Sequence, residues 1–581
     1  MQQREPRFAS RYASRFASKV LCSLALVAAL TLLLPASSTR AAAQGAGRAP
    51  ALSGTTDAVD LAVVTRIRDE GLRRSRLMAT IGHLTDVIGP RLTGSPQLKG
   101  ANEWTRDQLA QWGLANAHLE AWGPFGRGWS FSRAAVHMVE PQRQPLFALP
   151  KAWTPGTAGP VRGAAMRVVI NSEADFEKYR GKLRGKILLF DKTAPPPGSA
   201  PAAQEGERPR RFSAEKLAEL GQYKSAAEVT PEQRKAGRER LEMRRKLRKF
   251  LTDEGALATV DENPLPWGVL RVQSGGPYKK EEDPAVPGLV MAAEHYGRLV
   301  RLLGRGERVE LEIEVEARFH DDDPMAYNTI ADLPGTDRSG ELVMVGAHLD
   351  SWHTGTGATD NAAGCAVAME ALRILRALDL PPRRTIRIAL WSGEEEGLLG
   401  SEAYVGQHFA SRPEPPALRD IPERLREPQP PAPLTLRPEY PHLSAYFNID
   451  NGSGKIRGIY AQENAAVVPI FSAWLEPFRD LGAETVVMKS VGSTDHVSFD
   501  RVGLPAFQFI QDELDYSSHT HHTNADVYDH LESDDLIQSA VIVASLLYDA
   551  AMRPQLLPRK PPPPSPPARP ADRSSTTTPR R

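Results

Sequence analysis

Between residues 327 and 552 strand-like and helix-like segments alternate, and that alternation restricts the fold more than any other feature of the chain. NTIADL and ELVMVGAH read as strands, AAGCAVAMEALRILRAL as an amphipathic helix, RTIRIALW as a strand, GLLGSEAYVGQHF as a helix and LSAYFNID as a strand. A helix around 464–480, strands at ETVVMK and AFQFI, and a closing helix near 533–552 complete the series. Strands joined through helices of this length return to one sheet in the same direction. The expectation is therefore an α/β fold, a mostly parallel mixed sheet flanked by helices. In such a sheet, ligands bind beyond the carboxyl ends of the strands.

Those ends carry acids and imidazoles. ELVMVGAHLD delivers His348 and Asp350, and the loop after it delivers Asp360. RTIRIALWSGEEE delivers Glu394, Glu395 and Glu396, LSAYFNID delivers Asp450, and YSSHTHHTNAD brings His519, His521 and His522. So many carboxylates at one edge are costly unless a cation sits among them. Oxygen and imidazole donors without thiolate suit Zn²⁺ or a similar divalent ion. Five ligands with one shared carboxylate would hold two ions about 3.5–4 Å apart, a spacing typical of two-metal hydrolases, and one further glutamate would serve as general base.

The rest of the chain sets the context. At 581 residues it exceeds what one core accommodates. The formal net charge is +1, but residues 1–43 carry +5 and residues 553–581 carry +6, which leaves −10 on the body and no nucleic-acid footprint. The first 43 residues read as an export signal: a basic stretch with Arg4, Arg7, Arg11, Arg15 and Lys19, an apolar run VLCSLALVAALTLLL, and a small-residue cleavage site near Ala43. The run is fifteen residues long, short of the ~20 that a spanning helix needs, so no membrane anchor is expected after cleavage. The expected location is periplasmic or extracellular. Cleavage leaves Cys365 alone, with no intrachain disulfide, and it reads as a small buried helix residue. Residues 44–130 read as the N-terminal part of the main domain, mainly helical over 57–112. From 131 to 320 short β-branched runs such as GKILLFD and VELEIEVEARF suggest an inserted β-rich domain, interrupted near 194–250 by a charged helical insertion. The main domain resumes over 321–552 with a proline-dense excursion at 411–441, and 553–581 reads as a disordered Pro-rich tail.

The ordered motifs resemble those of the co-catalytic di-zinc exopeptidases, the family of secreted leucyl aminopeptidases and glutamate carboxypeptidases. HLD at 348–350, DN at 360–361, EEEG at 394–397, NID at 448–450 and HTNAD at 522–526 follow the family's order. GHLTDVIGPRLTGSP and WGPFGRGW look like the plasma glutamate carboxypeptidase branch. The resemblance implies two zinc ions per chain, held by His348, Asp360, Glu395, Asp450 and His522 with Asp360 bridging. Two partitions stay open, one joining His348 with Glu395 and the other joining Glu395 with His522. Glu394 would be the general base, and Asp350 a carboxylate orienting His348. Asp495 and His496, in GSTDHVSFD, would border the substrate pocket or form a structural hydrogen-bonded pair. Glu396 is left as the variable position of the EEE run, and the Asp360–Asn361 peptide is expected to be cis. The 131–320 segment looks like the protease-associated domain inserted in this family.

The implied activity is exported, zinc-dependent removal of an N-terminal residue from short peptides or dipeptides, with a homodimer possible. The alternatives are a carboxypeptidase acting on C-terminal glutamate-type substrates and a non-catalytic receptor-like relative, which would have lost ligands. No His-Glu dipeptide and no G-x-S-x-G elbow supports a different protease class.

Overall fold

The computed structural model describes residues 58–560 except 191–209, 223–229, 414–420, 422–424 and 427–431. The expected signal segment 1–43, the chain beyond 560, much of the proline-dense excursion and part of the 194–250 insertion lie outside the described residues.

The main sheet has eight strands in the order Ala115–Trp122, Ala326–Leu333, Arg384–Trp391, Arg338–His348, Leu443–Asn448, Ala506–Gln511, Ile456–Tyr460 and Thr485–Val487. The four strands from Arg384–Trp391 to Ala506–Gln511 run parallel, and antiparallel neighbours flank them on both sides. Side chains alternate across a strand, and both faces are buried here. Val343, Val345 and Ala347 enter one apolar core while Leu342 and Met344 enter another. That is why these strands read as unbroken apolar runs. Helices Ala363–Ala377 and Ser533–Met552 pack together over the first face, and Leu399–His408 lies over the second. Ser533–Met552 is long and apolar enough to cross a membrane, but 78% of its apolar window is buried, as befits a core helix.

The N-terminal helices begin with ordinary caps: Asp60 accepts from the amides of Ala62 and Val63, and Ser95 caps Pro96–Gln111. Strand Ala115–Trp122 was not apparent in the sequence. Its residues are mostly half-exposed because it is an edge strand, so it lacks a clean alternation.

A second eight-stranded sheet spans Gly128–His320, starting slightly before the expected boundary of 131. It too is mixed, with Val161–Val168, Lys186–Phe190, Ala258–Glu262 and Gly288–Met291 parallel. Helix Ala293–Gly304 covers it, and helix Pro231–Asp253 belongs to the charged insertion. The tail departs from expectation at its start. Residues 553–560 are ordered, anchored by Leu557, which is 2% exposed and whose amide donates to Ser444 Oγ.

Candidate metal centre

Register determines what meets at the sheet's carboxyl edge. His348 pairs with Trp391, so Glu394 and Glu395 follow three and four residues past that level. Gly346 pairs with Asn448, which puts Asp450 two residues beyond it. Gly346 must lack a side chain, since a Cβ would meet Ala389 O at 2.5 Å and Tyr446 Oη at 2.7 Å. Beneath the edge Trp391 Nε1 donates to Tyr446 Oη (2.7 Å), which donates to Asn448 Oδ1 (2.5 Å). Asn361 opens the following helix, donating to Ile449 O (2.8 Å) and accepting from the Gly364 amide (3.0 Å).

Two clusters share Asp360. His348 Nε2 lies 3.2 Å from Asp360 Oδ1 and 3.3 Å from Asp450 Oδ1. His522 Nε2 lies 3.3 Å from Asp360 Oδ2 and 3.0 Å from Glu395 Oε2. The geometry therefore joins Glu395 with His522 and His348 with Asp450, the second of the two partitions. The Asp360–Asn361 peptide is cis, as the resemblance implies.

The donor set fits divalent ions. Two donors on one tetrahedral zinc sit roughly 3.3 Å apart when each bond is about 2.0–2.1 Å, close to the separations found here. Asp360 Oδ2 and Glu395 Oε1 are buried without a hydrogen-bond partner. With protein groups alone the charge is out of balance. Burial opposes a charge on His522, but Glu395 and Asp360 push its pKa up to about 10. His348 is likewise raised, by Asp450 and Glu394, against its own burial. Burial lifts Glu394 well above the usual carboxylate range, with Asp450 and Asp495 adding to it and His348 opposing. Burial also lifts Glu395 to about 7. A bound cation would relieve the same deficit.

The supporting residues divide differently from expectation. Asp350 orients His348 through its backbone oxygen, 3.0 Å from Nδ1, while its carboxylate stands 3.7 Å away. That carboxylate instead accepts from the amides of Glu394 (3.3 Å) and Glu395 (3.2 Å) and from Thr93 Oγ1 (3.1 Å). Asp495 and His496 do not pair. Both Asp495 oxygens are buried without partners, and His496 Nε2 faces Val491 O at 2.9 Å. His521 lies tilted against His522, with ring centroids 3.7 Å apart, and stays 3.9 Å from Asp360, while His519 turns to Ser518. His353 donates from Nε2 to Pro150 O and meets Trp129 and Phe131 edge-on, outside the centre. Cys365 is buried, its thiol donating to His348 O, and burial pushes it up to about 12.

Two residues of the centre escaped sequence reasoning. Asp526 accepts from the amides of Thr359 (2.6 Å) and Asp360 (3.1 Å) and from Thr359 Oγ1 (2.8 Å), fixing the aspartate that the two clusters share. Its spacing in HTNAD was the available signal. Arg91 is fully buried, and its guanidinium donates to Leu349, Leu84, Gly89, Thr356 and Gly357 carbonyls. It thereby fastens both ends of the loop between His348 and Asp360. Only the GPRLTGSP resemblance pointed there.

The model of peptidase family M28 matches residues 328–547, the stretch that carries all of these candidate ligands. The chain carries a peptidase family M28 domain. Carboxypeptidase Q of Bos taurus is 25% identical over 497 residues, covering 84% of this chain and 88% of that protein. Carboxypeptidase Q of Xenopus laevis is 27% identical over 351 residues, covering 60% of this chain and 64% of that protein. Leupeptin-inactivating enzyme 1 of Streptomyces exfoliatus is 27% identical over 180 residues, 31% of this chain and 34% of that protein. Among solved structures, a peptidase M28 precursor from Shewanella amazonensis superposes with a TM-score of 0.59 at 23% identity, covering 86% of this chain and 98% of that one. That likeness establishes the shared M28 fold, and the family makes the chain a metallopeptidase acting on peptide bonds.

Proposed function

We propose that the chain is an exported two-zinc exopeptidase that removes the N-terminal residue from short peptides or dipeptides, with Glu394 as general base. One observation carries the reading: the two oxygens of Asp360 face two different imidazoles, His348 at 3.2 Å and His522 at 3.3 Å. His348 and Asp450 would hold one ion, Glu395 and His522 the other, with Asp360 shared. When bound, such ions polarise the scissile carbonyl and acidify the attacking water. Glu394, next to Glu395 and held at the mouth of the cluster by its amide's hydrogen bond to Asp350, would take a proton from that water and pass it to the leaving amine nitrogen. The water-sized cavity beside the cluster is lined by Trp352, Asp360, Glu395, His522 and Asp526, and a free N-terminal ammonium would sit well among the carboxylates of Glu394, Glu395 and Asp450. The unit at 128–320 is read as the inserted protease-associated-like domain beside the cleft. Export rests on the basic stretch and apolar run of residues 1–43.

A carboxypeptidase is the second reading, favoured by the names of the relatives that match 84% of the chain. The test uses purified protein with zinc and matched peptides. Free peptides should be cut at the first bond and their N-acetylated forms should resist. Equal cleavage of N-acetylated peptides, with release of the last residue, would favour the carboxypeptidase. Asp360→Ala should lose both zinc ions by elemental analysis. Full occupancy in that variant removes Asp360 from the bridging role.

A further inference from the structure

The second sheet's unit reaches into the metal centre. Its loop from Asn263 to Gly276 lies alongside the segment carrying His522, with Arg271 and Thr523 forming an antiparallel bridge. The Val272 amide donates to His522 O (3.2 Å), the Asn524 amide to Leu270 O (3.1 Å), and the Leu270 amide to Asn524 Oδ1 (2.6 Å). Arg271 adds bonds to the His521 and Ser517 carbonyls. On its other side the loop is tied to its own unit: the Ala152 amide donates to Gln273 O (3.1 Å), and the Gly275 amide donates back to Ala152 O (3.0 Å). Between these two anchorages Gln273 extends its amide to within 3.0 Å of His522 Nδ1. His522 itself holds a left-handed backbone, φ +61°, a conformation that a non-glycine residue keeps only where its surroundings fix it.

We propose that Gln273 is a positioning residue for His522, so that the 128–320 unit completes the metal centre that the 328–547 domain carries. The proposal rests on the two-zinc reading above. His522 Nε2 faces Asp360 and Glu395, so Nε2 is the nitrogen available to an ion, and the ring proton must then sit on Nδ1. A proton on Nδ1 needs an acceptor. With its nitrogen toward the ring, Gln273 selects the opposite tautomer. A half-turn of the amide presents Oε1 instead, and the two ends are nearly isosteric. Gln273 can thereby fix the ring plane and tautomer, and no other side chain meets Nδ1 of His522 among the described residues.

Gln273→Met keeps the side chain's length and removes the amide, while Gln273→Glu keeps an acceptor at the same reach. The measurements are zinc affinity by competition with a chelator, melting of the chelator-stripped full chain, and kcat and KM for a free dipeptide. Losing a partner of this kind typically costs about 10–100-fold in metal affinity. Gln273→Met should weaken one of the two zinc ions by that factor, leave the melting of the stripped protein unchanged, and lower kcat more than it raises KM at limiting zinc. Gln273→Glu should bring affinity back to within a few-fold of the parent. Parent-like affinity for both ions in Gln273→Met overturns the proposal, and so does a loss matched by early melting of the stripped protein and not rescued by glutamate. A parent protein that binds no zinc overturns the two-zinc reading, and the role of Gln273 with it. A parent with two ions and an unaffected variant overturns the role of Gln273 alone.

Discussion

The two eight-stranded sheets handle their acids in opposite ways. In the second sheet, strand Glu310–His320 alternates Leu311, Ile313 and Val315 inward with Glu312, Glu314 and Glu316 outward. Glu312 meets Arg162 (2.6 Å) and Arg143 (3.1 Å), and Glu314 meets Arg133 (3.0 Å). Those side chains are partly exposed, and each meets a fixed cation or, for Glu316, the Ser132 hydroxyl. At the carboxyl edge of the main sheet, Asp360, Glu395 and Asp495 are buried with unpartnered oxygens, and the nearest nitrogens belong to histidines. An acid with its own arginine is adequately explained by solubility and modest pairing. A buried group of acids that no lysine or arginine pairs directly is costly, and it persists where an ion or a reaction requires it. The contrast separates structural carboxylates from functional ones without reference to any relative.

The contrast can be broken most directly at Glu394. Glu394→Gln should retain zinc and lower kcat by ~10²–10⁴, since an amide cannot take the water's proton. Steady-state kinetics with elemental analysis on the same sample checks it, and full activity would return Glu394 to the structural class. The next effect is on stability. Arg91→Met strands five carbonyls around the 349–357 loop and should cost roughly 3–5 kcal/mol in denaturant unfolding. An unchanged midpoint would mean that the loop holds without its cation.

A third test concerns an ion cluster at the main sheet's periphery that does have its cation. Hydrogen bonds to Glu120 and Glu439 raise His408 to about 9. Its folded pKa exceeds the ordinary value of about 6.5, so its contribution is complete below about pH 6.5 and disappears as the pH rises through 9. His408→Gln should therefore cost about 1–2 kcal/mol near pH 6, after allowing for solvent screening of a half-exposed cluster, and almost nothing near pH 10. A pH-independent loss would place the effect in packing. The smallest effect belongs to the second sheet: Glu312→Gln should leave zinc content and kcat unchanged and lower Tm by about 2 °C or less. A loss of zinc there would erase the distinction between the two sheets.

The alternation from 327 to 552 made the main sheet legible, because burial on both faces writes itself as continuous apolar runs at parallel-strand spacing. Edge strand Ala115–Trp122 stayed hidden because its partly exposed residues carry no such pattern. The proposed ligand set was legible for a related reason: His348, Glu395 and Asp450 lie at or within four residues of strand ends, where a change from apolar to acidic residues is conspicuous.

By itself, the sequence determined which groups stand at the sheet's edge and in what order, since those are properties of short stretches of chain. Tertiary structure decided how they pair. Whether Glu395 faces His348 or His522 depends on the register of neighbouring strands and the path of the 519–526 loop. Asp350's carboxylate was drawn to the amides of Glu394 and Glu395, 44 and 45 residues away, leaving its backbone oxygen for His348. Gln273 meets His522 across 249 residues, from a different sheet. A polar group's partner is selected by three-dimensional proximity and desolvation, neither of which has a local signature in the chain.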